Sequence, residues 1–257
     1  MSTVHAETAD RVTTITIDRP RRRNALNHEA LEQLHHHVGR AADDGVRAVV
    51  LTGAADQFCS GADLTELEDL SFTESLRSML DDLAGLPVPT IAAISGACMG
   101  LGMQLALACD LRLATDEARF AVPVAKLGLM VDHWTIQRLA LVAGHSTARW
   151  MTLSARQVTA QRMYDVGMLH ELVQVDAAGP GASVLESAHQ LASEIASLAP
   201  LALAGSKLGL DLLERAEAEV DPHGSYRAAF ERAWASDDLV EGRRSFAERR
   251  PAEFEGR

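Results

Sequence analysis

Two glycine-rich turns carry the strongest chemical signals in the chain. Gly96-Ala-Cys-Met-Gly100-Leu-Gly102-Met-Gln104 follows a short apolar run and opens a helix-forming segment. Such a turn leaves backbone N–H groups unpaired at the positive end of a helix dipole, which suits an anion or an oxyanion. A tight strand-to-helix turn without any ligand needs the same glycines, and these residues alone leave both readings open. A dinucleotide fingerprint is disfavoured, because Leu105 stands where Gly-x-Gly-x-x-Gly needs its third glycine. The second turn is Phe58-Cys-Ser-Gly-Ala-Asp-Leu64. Ser60 lacks the Gly-x-Ser-x-Gly elbow of a hydrolase nucleophile, so its backbone N–H is as interesting as its hydroxyl. Two loops that each offer one N–H can together hold a thioester carbonyl as it becomes an enolate.

Three further clusters bear on chemistry. Arg19-Pro-Arg-Arg-Arg23 is the densest basic stretch of an acidic chain. Charge runs are usually solvated loops, but Arg forks match phosphate oxygens, and the balance tips slightly toward a phosphate site. His35-His-His37 looks like a metal tract. Helix neighbours at these spacings do not share a face, so a solvated helix surface is the better expectation and no metal is expected. Asp132-His-Trp134 sits just before a helical stretch. Asp132 either caps that helix with Trp134 in the core, or stands in a cleft beside an aromatic wall where its acidity can be tuned.

The elements that must position these residues alternate along the chain. Val12–Ile17 alternates β-branched and polar residues and reads as a strand ended by Asp18-Arg-Pro20. Asn27 is placed to cap a helix with Leu31, Leu34, Val38 and Ala41 on one stripe. Further short strands are expected at Ala48–Thr52, Thr90–Ser95 and Leu111–Ala114, with helices over residues 63–86 and 102–108. This alternation argues for an α/β fold. Beyond residue 134 the strand signal fades. Ser183 with Glu186 reads as a capping box after a Gly179-Pro-Gly181 loop, and residues 200–218 and 225–250 read as helices. No repeat of fixed period is visible.

Bulk properties narrow the classes. The 257 residues are 47% apolar and 23% charged, ordinary for a globular chain, with a net charge of −12. That charge argues against a nucleic-acid binder, which needs a basic face. Cys59, Cys98 and Cys109 have no Cys-x-x-Cys spacing, which disfavours structural zinc or a disulfide framework. The start lacks the charge and apolar pattern of a secretory signal, and no apolar run reaches membrane-span length. A cytoplasmic location is the expectation.

The ordered set Ile15-Thr-Ile-Asp-Arg-Pro, Asn24-Ala-Leu-Asn27, Val50-Leu-Thr-Gly53, Phe58–Asp63, Gly96–Asp110, Gln137-Arg-Leu139 and Phe246-Ala-Glu-Arg-Arg with Phe254 resembles the crotonase superfamily, the enoyl-CoA hydratase/isomerase family. The resemblance spans essentially the whole chain. It implies a spiral of ββα turns over 1–198 and a C-terminal helical region over 199–257 that builds a homotrimer or hexamer. It implies an acyl-CoA thioester as ligand, with no cofactor beyond the coenzyme A that belongs to the ligand. The oxyanion donors would be the amides of Ser60 and Leu101. Coenzyme A would meet Arg21, Arg23, Ala25, Ala62, Asp63 and Leu64, with Phe246 and Arg249 of a neighbouring subunit closing over the nucleotide. His133 and Trp134 would line the acyl pocket.

The chain departs from the hydratase pattern at two places. Family hydratases hold water between two glutamates, and here Gln104 and Val124 occupy those positions. Each acid–base group supplies about 10²–10⁴-fold in rate, so losing both should leave hydration at a trace. Asp132 aligns with a catalytic aspartate of some isomerases and dehalogenases. Gln104, Val124 and Asp132-x-Trp134 together resemble an actinobacterial branch that binds long acyl-CoA in lipid metabolism without hydrating it. A non-hydrating acyl-CoA binder, serving enzymes of fatty-acid synthesis, is the leading expectation. An isomerase or other enolate enzyme using Asp132 comes second, and a residual hydratase third. A spiral-fold peptidase is remote, since no Ser/His/Asp order is present.

Overall fold

Alternating β-branched residues create the first strand pair. Strand β1 (Val4–Ala9) lies antiparallel to β2 (Val12–Ile17) across a two-residue turn. Asp10 and Arg11 adopt φ of 48° and 66°, the left-handed geometry that matches a tight hairpin to the strand twist. Only Val4 of β1 is buried, so this edge strand carries no apolar alternation for a sequence reading to find. The computed structural model describes residues 2–41, 43, 45–64, 71–175, 179–218, 231–232 and 234–254, with 213–218 described for their backbone.

From β2 the sheet continues in parallel through β3 (Ala48–Gly53), β4 (Thr90–Ile94), β6 (Leu111–Thr115) and β9 (Glu171–Val173). A second sheet holds β5 (Ala97–Met99), β7 (Arg119–Ala121) and β8 (Val158–Thr159). The helices are α1 (His28–Arg40), α2 (Ser71–Ala84), α3 (Leu101–Ala108), α4 (His133–Ser154), α5 (Ala160–Asp165), α6 (Pro180–Ala196), α7 (Pro200–Ala218) and α8 (Asp237–Glu248). The chain advances by a repeated step: a strand of the large sheet, a short pairing in the small one, then a helix. The steps are β3, Cys59 and α2; β4, β5 and α3; β6, β7 and α4. Cys59 pairs in parallel with Cys98, and β5 with β7, so the second layer is continuous from step to step. This is the ββα spiral that the resemblance implies. The steps differ in length, which is why no fixed period marks them.

Two apolar layers hold the sheet. Leu31, Leu34 and Val38 of α1 are buried on one face with Met79, Leu80 and Leu83 of α2. Val184, Ala188, Ala192 and Ile195 of α6 cover the other, against Val50, Ile91 and Leu113. Each fully buried Leu contributes about 2 kcal/mol. Asn27 caps α1 as expected, its side chain accepting from the Ala30 N–H.

Several local expectations are corrected. The proposed capping box is internal to α6: the helix starts at Pro180, and the Ser183 hydroxyl donates back to the Gly179 carbonyl. Gly179-Pro-Gly181 is therefore the helix start and not a loop, held by the Asp56 carboxylate accepting from the Gly181 N–H at 2.8 Å. A proline at the first helical position needs no N–H, so it opens the helix at no cost. Helix α4 is interrupted at Gly144, whose φ of 78° and ψ of 148° are non-helical. The helices expected over 63–86 and 225–250 fall partly on residues 65–70 and 225–230, outside the described residues.

The C-terminal helices are tied to the body. Lys207 of α7 is buried, with Nζ 2.7 Å from the Asp110 carboxylate, which also accepts from the Thr90 N–H and hydroxyl. α8 packs on the 3-10 turn Pro123–Leu127, where a Cβ on Gly242 would lie 2.4 Å from the Leu127 carbonyl. Among the described residues no single helix is long and apolar enough to cross a membrane.

All three cysteines are free and buried. Burial pushes the Cys59 and Cys109 thiols up to about 12 and raises Cys98 well above its ordinary value. The folded protein should therefore show no thiol reactive toward a disulfide reagent at neutral pH. All three should react once denaturant is added, and a fast-reacting thiol in the folded state would contradict this packing.

Candidate functional site

The two glycine turns meet at the mouth of one cavity of about 1010 Å³. Helix α3 begins there. Gly100 caps it with φ of 53°, and Gly102 lies so close to the second turn that a Cβ would sit 2.2 Å from the Cys59 carbonyl. The glycines thus serve both readings of the sequence: they allow close packing, and that packing brings the Leu101 amide beside the Ser60 loop. As the first helical residue, Leu101 has an N–H with no intrahelical acceptor. Ser60 differs. Its N–H donates to the Arg23 carbonyl at 3.1 Å and its hydroxyl to the Arg22 carbonyl at 3.3 Å. A ligand oxygen between the two turns would meet the Leu101 N–H directly and would share the Ser60 N–H with Arg23.

The arginine loop is shaped by buried Asn24. Its carbonyl oxygen accepts from the Arg19 N–H, and its amide donates to the carbonyls of Ala54 and Gln57. Arg23 and Asn24 both take left-handed φ, 51° and 57°. The result turns Arg22, Arg23 and Ala25 to the cavity, while Arg21 does not line it. Ala62, Asp63 and Leu64 line the opposite side of the mouth. Asp63 is buried and ion-paired with Arg19 at 3.3 Å and Arg22 at 3.9 Å, so it orders the loop. Phe246 lines the cavity from its own chain, together with Trp234. Arg249 ends α8 in a left-handed conformation and does not line the cavity.

Deeper in, Gln104 sits one turn along α3 from Leu101. Its amide donates to the Thr135 hydroxyl at 2.8 Å. The Thr135 N–H donates to the Asp132 carboxylate at 2.7 Å, so Asp132 caps α4. The other Asp132 oxygen lies 3.7 Å from Arg77 of α2, whose guanidinium stacks on the Trp134 ring at 4.1 Å. Asp132 is thus a helix cap and also lines the cavity. Val124 and Gln104 both line the cavity, whereas His133 and Trp134, expected in its lining, do not. The cavity thus has amide donors at one end and a connected polar chain, Gln104–Thr135–Asp132–Arg77, along one side. Arg77 and Thr135 were missed from sequence, since no motif marks them. The histidine tract is divided: His35 meets Asp82 at 2.6 Å and His37 meets the Val4 carbonyl at 3.2 Å. No cluster able to hold a metal occurs among the described residues.

The far end of α3 is held by two buried cations. Arg112 donates to the carbonyls of Ala106, Cys109, Asp110 and Met168. Arg138 donates to the carbonyl of Leu107. Burial pulls the Arg112 guanidinium down to about 10, which still leaves it charged at neutral pH. Replacing it by methionine should cost on the order of 3–5 kcal/mol, because it strands buried carbonyls and removes a cation from a helix C-terminus. Urea unfolding measures this; a loss below about 1 kcal/mol would contradict the role.

A family model described as enoyl-CoA hydratase/isomerase matches residues 7–257. A probable enoyl-CoA hydratase echA6 of Mycobacterium tuberculosis (strain CDC 1551 / Oshkosh) is 37% identical over 249 residues, covering 96% of this chain and 97% of the other. The 2,3-dehydroadipyl-CoA hydratase of Escherichia coli (strain K12) is 34% identical over 262 residues, 100% of each chain. Among solved structures, methylmalonyl-CoA decarboxylase in complex with 2-nitronate-propionyl-CoA aligns with a TM-score of 0.88 at 25% identity, over 99% of each chain.

Proposed function

The chain belongs to the enoyl-CoA hydratase/isomerase family, and we propose that it binds an acyl-CoA thioester without adding water to it. The thioester carbonyl rests on the Leu101 amide, shared with Ser60. The nucleotide phosphates lie toward Arg22 and Arg23, and the acyl chain runs past Gln104 and Val124 into the cavity. One observation carries the reading: at the two positions that match the glutamates of family hydratases, the cavity wall has an amide already bonded to Thr135 and an isopropyl group. Neither can take or give a proton at neutral pH. Mixing the protein with crotonyl-CoA should leave the enone absorbance unchanged, while calorimetry with a saturated long acyl-CoA should give binding heat. Rapid loss of the enone would sink the reading.

The same geometry predicts a gain of function. Gln104→Glu combined with Val124→Glu should raise crotonyl-CoA hydration at least about 10²-fold above the unaltered protein. No increase would mean that the thioester does not sit between these positions. A second reading is favoured by one fact, the placement of the Asp132 carboxylate on the cavity wall. A lone carboxylate there could move a proton between carbons of an enoyl-CoA. That reading predicts solvent deuterium in the recovered thioester, abolished by Asp132→Asn; the first reading predicts no exchange in either protein.

Assembly as a homotrimer or hexamer is part of the proposal. Leu201, Leu208, Leu210 and Leu212 of α7 are exposed, with Leu201 at 87%, and so are Trp150 and Leu153 of α4. Exposed large apolar side chains in this number suit an interface between subunits. Sedimentation should report a multiple of the 27.7 kDa chain, and Leu201→Glu with Leu208→Glu should shift it toward monomer. A monomer in the unaltered protein would contradict this. Enzymes of fatty-acid synthesis are proposed as its partners.

A further inference from the structure

Resting on the acyl-CoA reading above, we infer that Arg77 is the stop that sets how long an acyl chain the cavity accepts. The Arg77 side chain lines the cavity from α2 and is 25% exposed, yet its three guanidinium nitrogens have essentially no exposed surface. The methylene stem therefore faces the cavity, and the head is turned away from it. Three groups clamp the head. The Asp81 carboxylate lies 2.7 Å away and that of Asp132 3.7 Å away. The Trp134 ring stacks on the guanidinium at 4.1 Å, and Trp134 itself does not line the cavity. The head thus fills the space between the cavity and that ring.

The position of Arg77 along the site makes it a stop. The polar chain that begins at Gln104, one turn along α3 from Leu101, passes through Thr135 and Asp132 and ends at Arg77. An acyl chain whose carbonyl rests on the Leu101 amide and that runs past Gln104 meets Arg77 last of these groups. What it meets there is apolar, the methylenes of the stem, with Phe72 and Leu76 of the same helix also lining the cavity. A hydrocarbon chain is welcome against that surface but cannot push through it. Moving the head would part a desolvated guanidinium from two carboxylates and an aromatic face.

The test measures dissociation constants by calorimetry for saturated acyl-CoA thioesters lengthened two carbons at a time. In the unaltered protein each added methylene should tighten binding about fourfold until the chain meets Arg77, beyond which affinity should stop rising. Arg77→Ala removes the stem and the head together. The rise should then continue for about two further methylenes, so that the first thioester beyond the original limit binds about tenfold tighter than it does to the unaltered protein. Trp134→Leu leaves the cavity lining intact but takes away the face that holds the head, and it should move the limit in the same direction. It decides the question if the alanine variant does not fold. Weaker binding at every length with an unmoved limit overturns the inference, since it would make Arg77 only a strut of α2. An affinity that climbs without a limit in the unaltered protein overturns it as well. Absence of binding for every acyl-CoA would overturn the family-based reading and this inference together; binding with a limit that neither substitution moves overturns this one alone.

Discussion

The fixed position of helix α3 is the constraint on which the site depends. All eight of its residues are buried, so the helix can shift only if the core around it shifts. Its N-terminus presents the Leu101 amide to the cavity. Its C-terminal carbonyls are paired with the buried guanidiniums of Arg112 and Arg138. Cations at that end also complement the helix dipole. The close contact of Gly102 with Cys59 then fixes the second glycine turn against the first. Under the proposed reading a thioester oxygen would meet donors whose geometry is set by the core before any ligand arrives, which is where such electrostatic stabilisation is strongest.

What surrounds that amide determines which chemistry can follow. Gln104, Thr135, Asp132 and Arg77 are linked from one end of α3 to the middle of α2. In this chain the two groups flanking Thr135 already have structural work. Gln104 holds Thr135, and Asp132 caps α4 with one oxygen. Under the proposed reading such a site would polarise a carbonyl without a pair of glutamates at the Gln104 and Val124 positions to activate a water across a double bond. The relatives named as hydratases share the fold and the frame of the site, and fold alone does not carry the reaction.

The chain's architecture was largely legible in its sequence, and the reasons are local. β2, β3, β4 and β6 are short apolar or alternating runs bounded by turn residues, and Asn27 announces α1 by its side chain. The exposed edge strand β1 and the three-residue strands β5 and β7 carry too few residues to show a period. The start of α6 was misread because Ser183 and Glu186 imitate a capping box inside a helix that Pro180 had already opened. At the site, Ser60, Leu101, Ala25, Ala62, Asp63, Leu64 and Asp132 were placed by motif and do line the cavity. Arg21, His133 and Trp134 do not, and Arg249, expected to act on a neighbouring subunit, does not line the cavity of its own chain. Arg77 was invisible in the sequence, since its importance arises from Trp134 and Asp132, which reach it only in the folded spiral.

The central claim is that a thioester carbonyl rests on the Leu101 amide in a cavity that cannot hydrate the adjacent double bond. Carbon-13 NMR of crotonyl-CoA labelled at the carbonyl tests both halves in one sample. The account predicts a carbonyl resonance displaced downfield in the complex, as hydrogen bonds draw electron density toward oxygen, and an enoyl spectrum that persists with no hydroxyacyl signal. An undisplaced carbonyl would place the thioester elsewhere, and conversion to the hydroxyacyl product would show that the chain adds water after all.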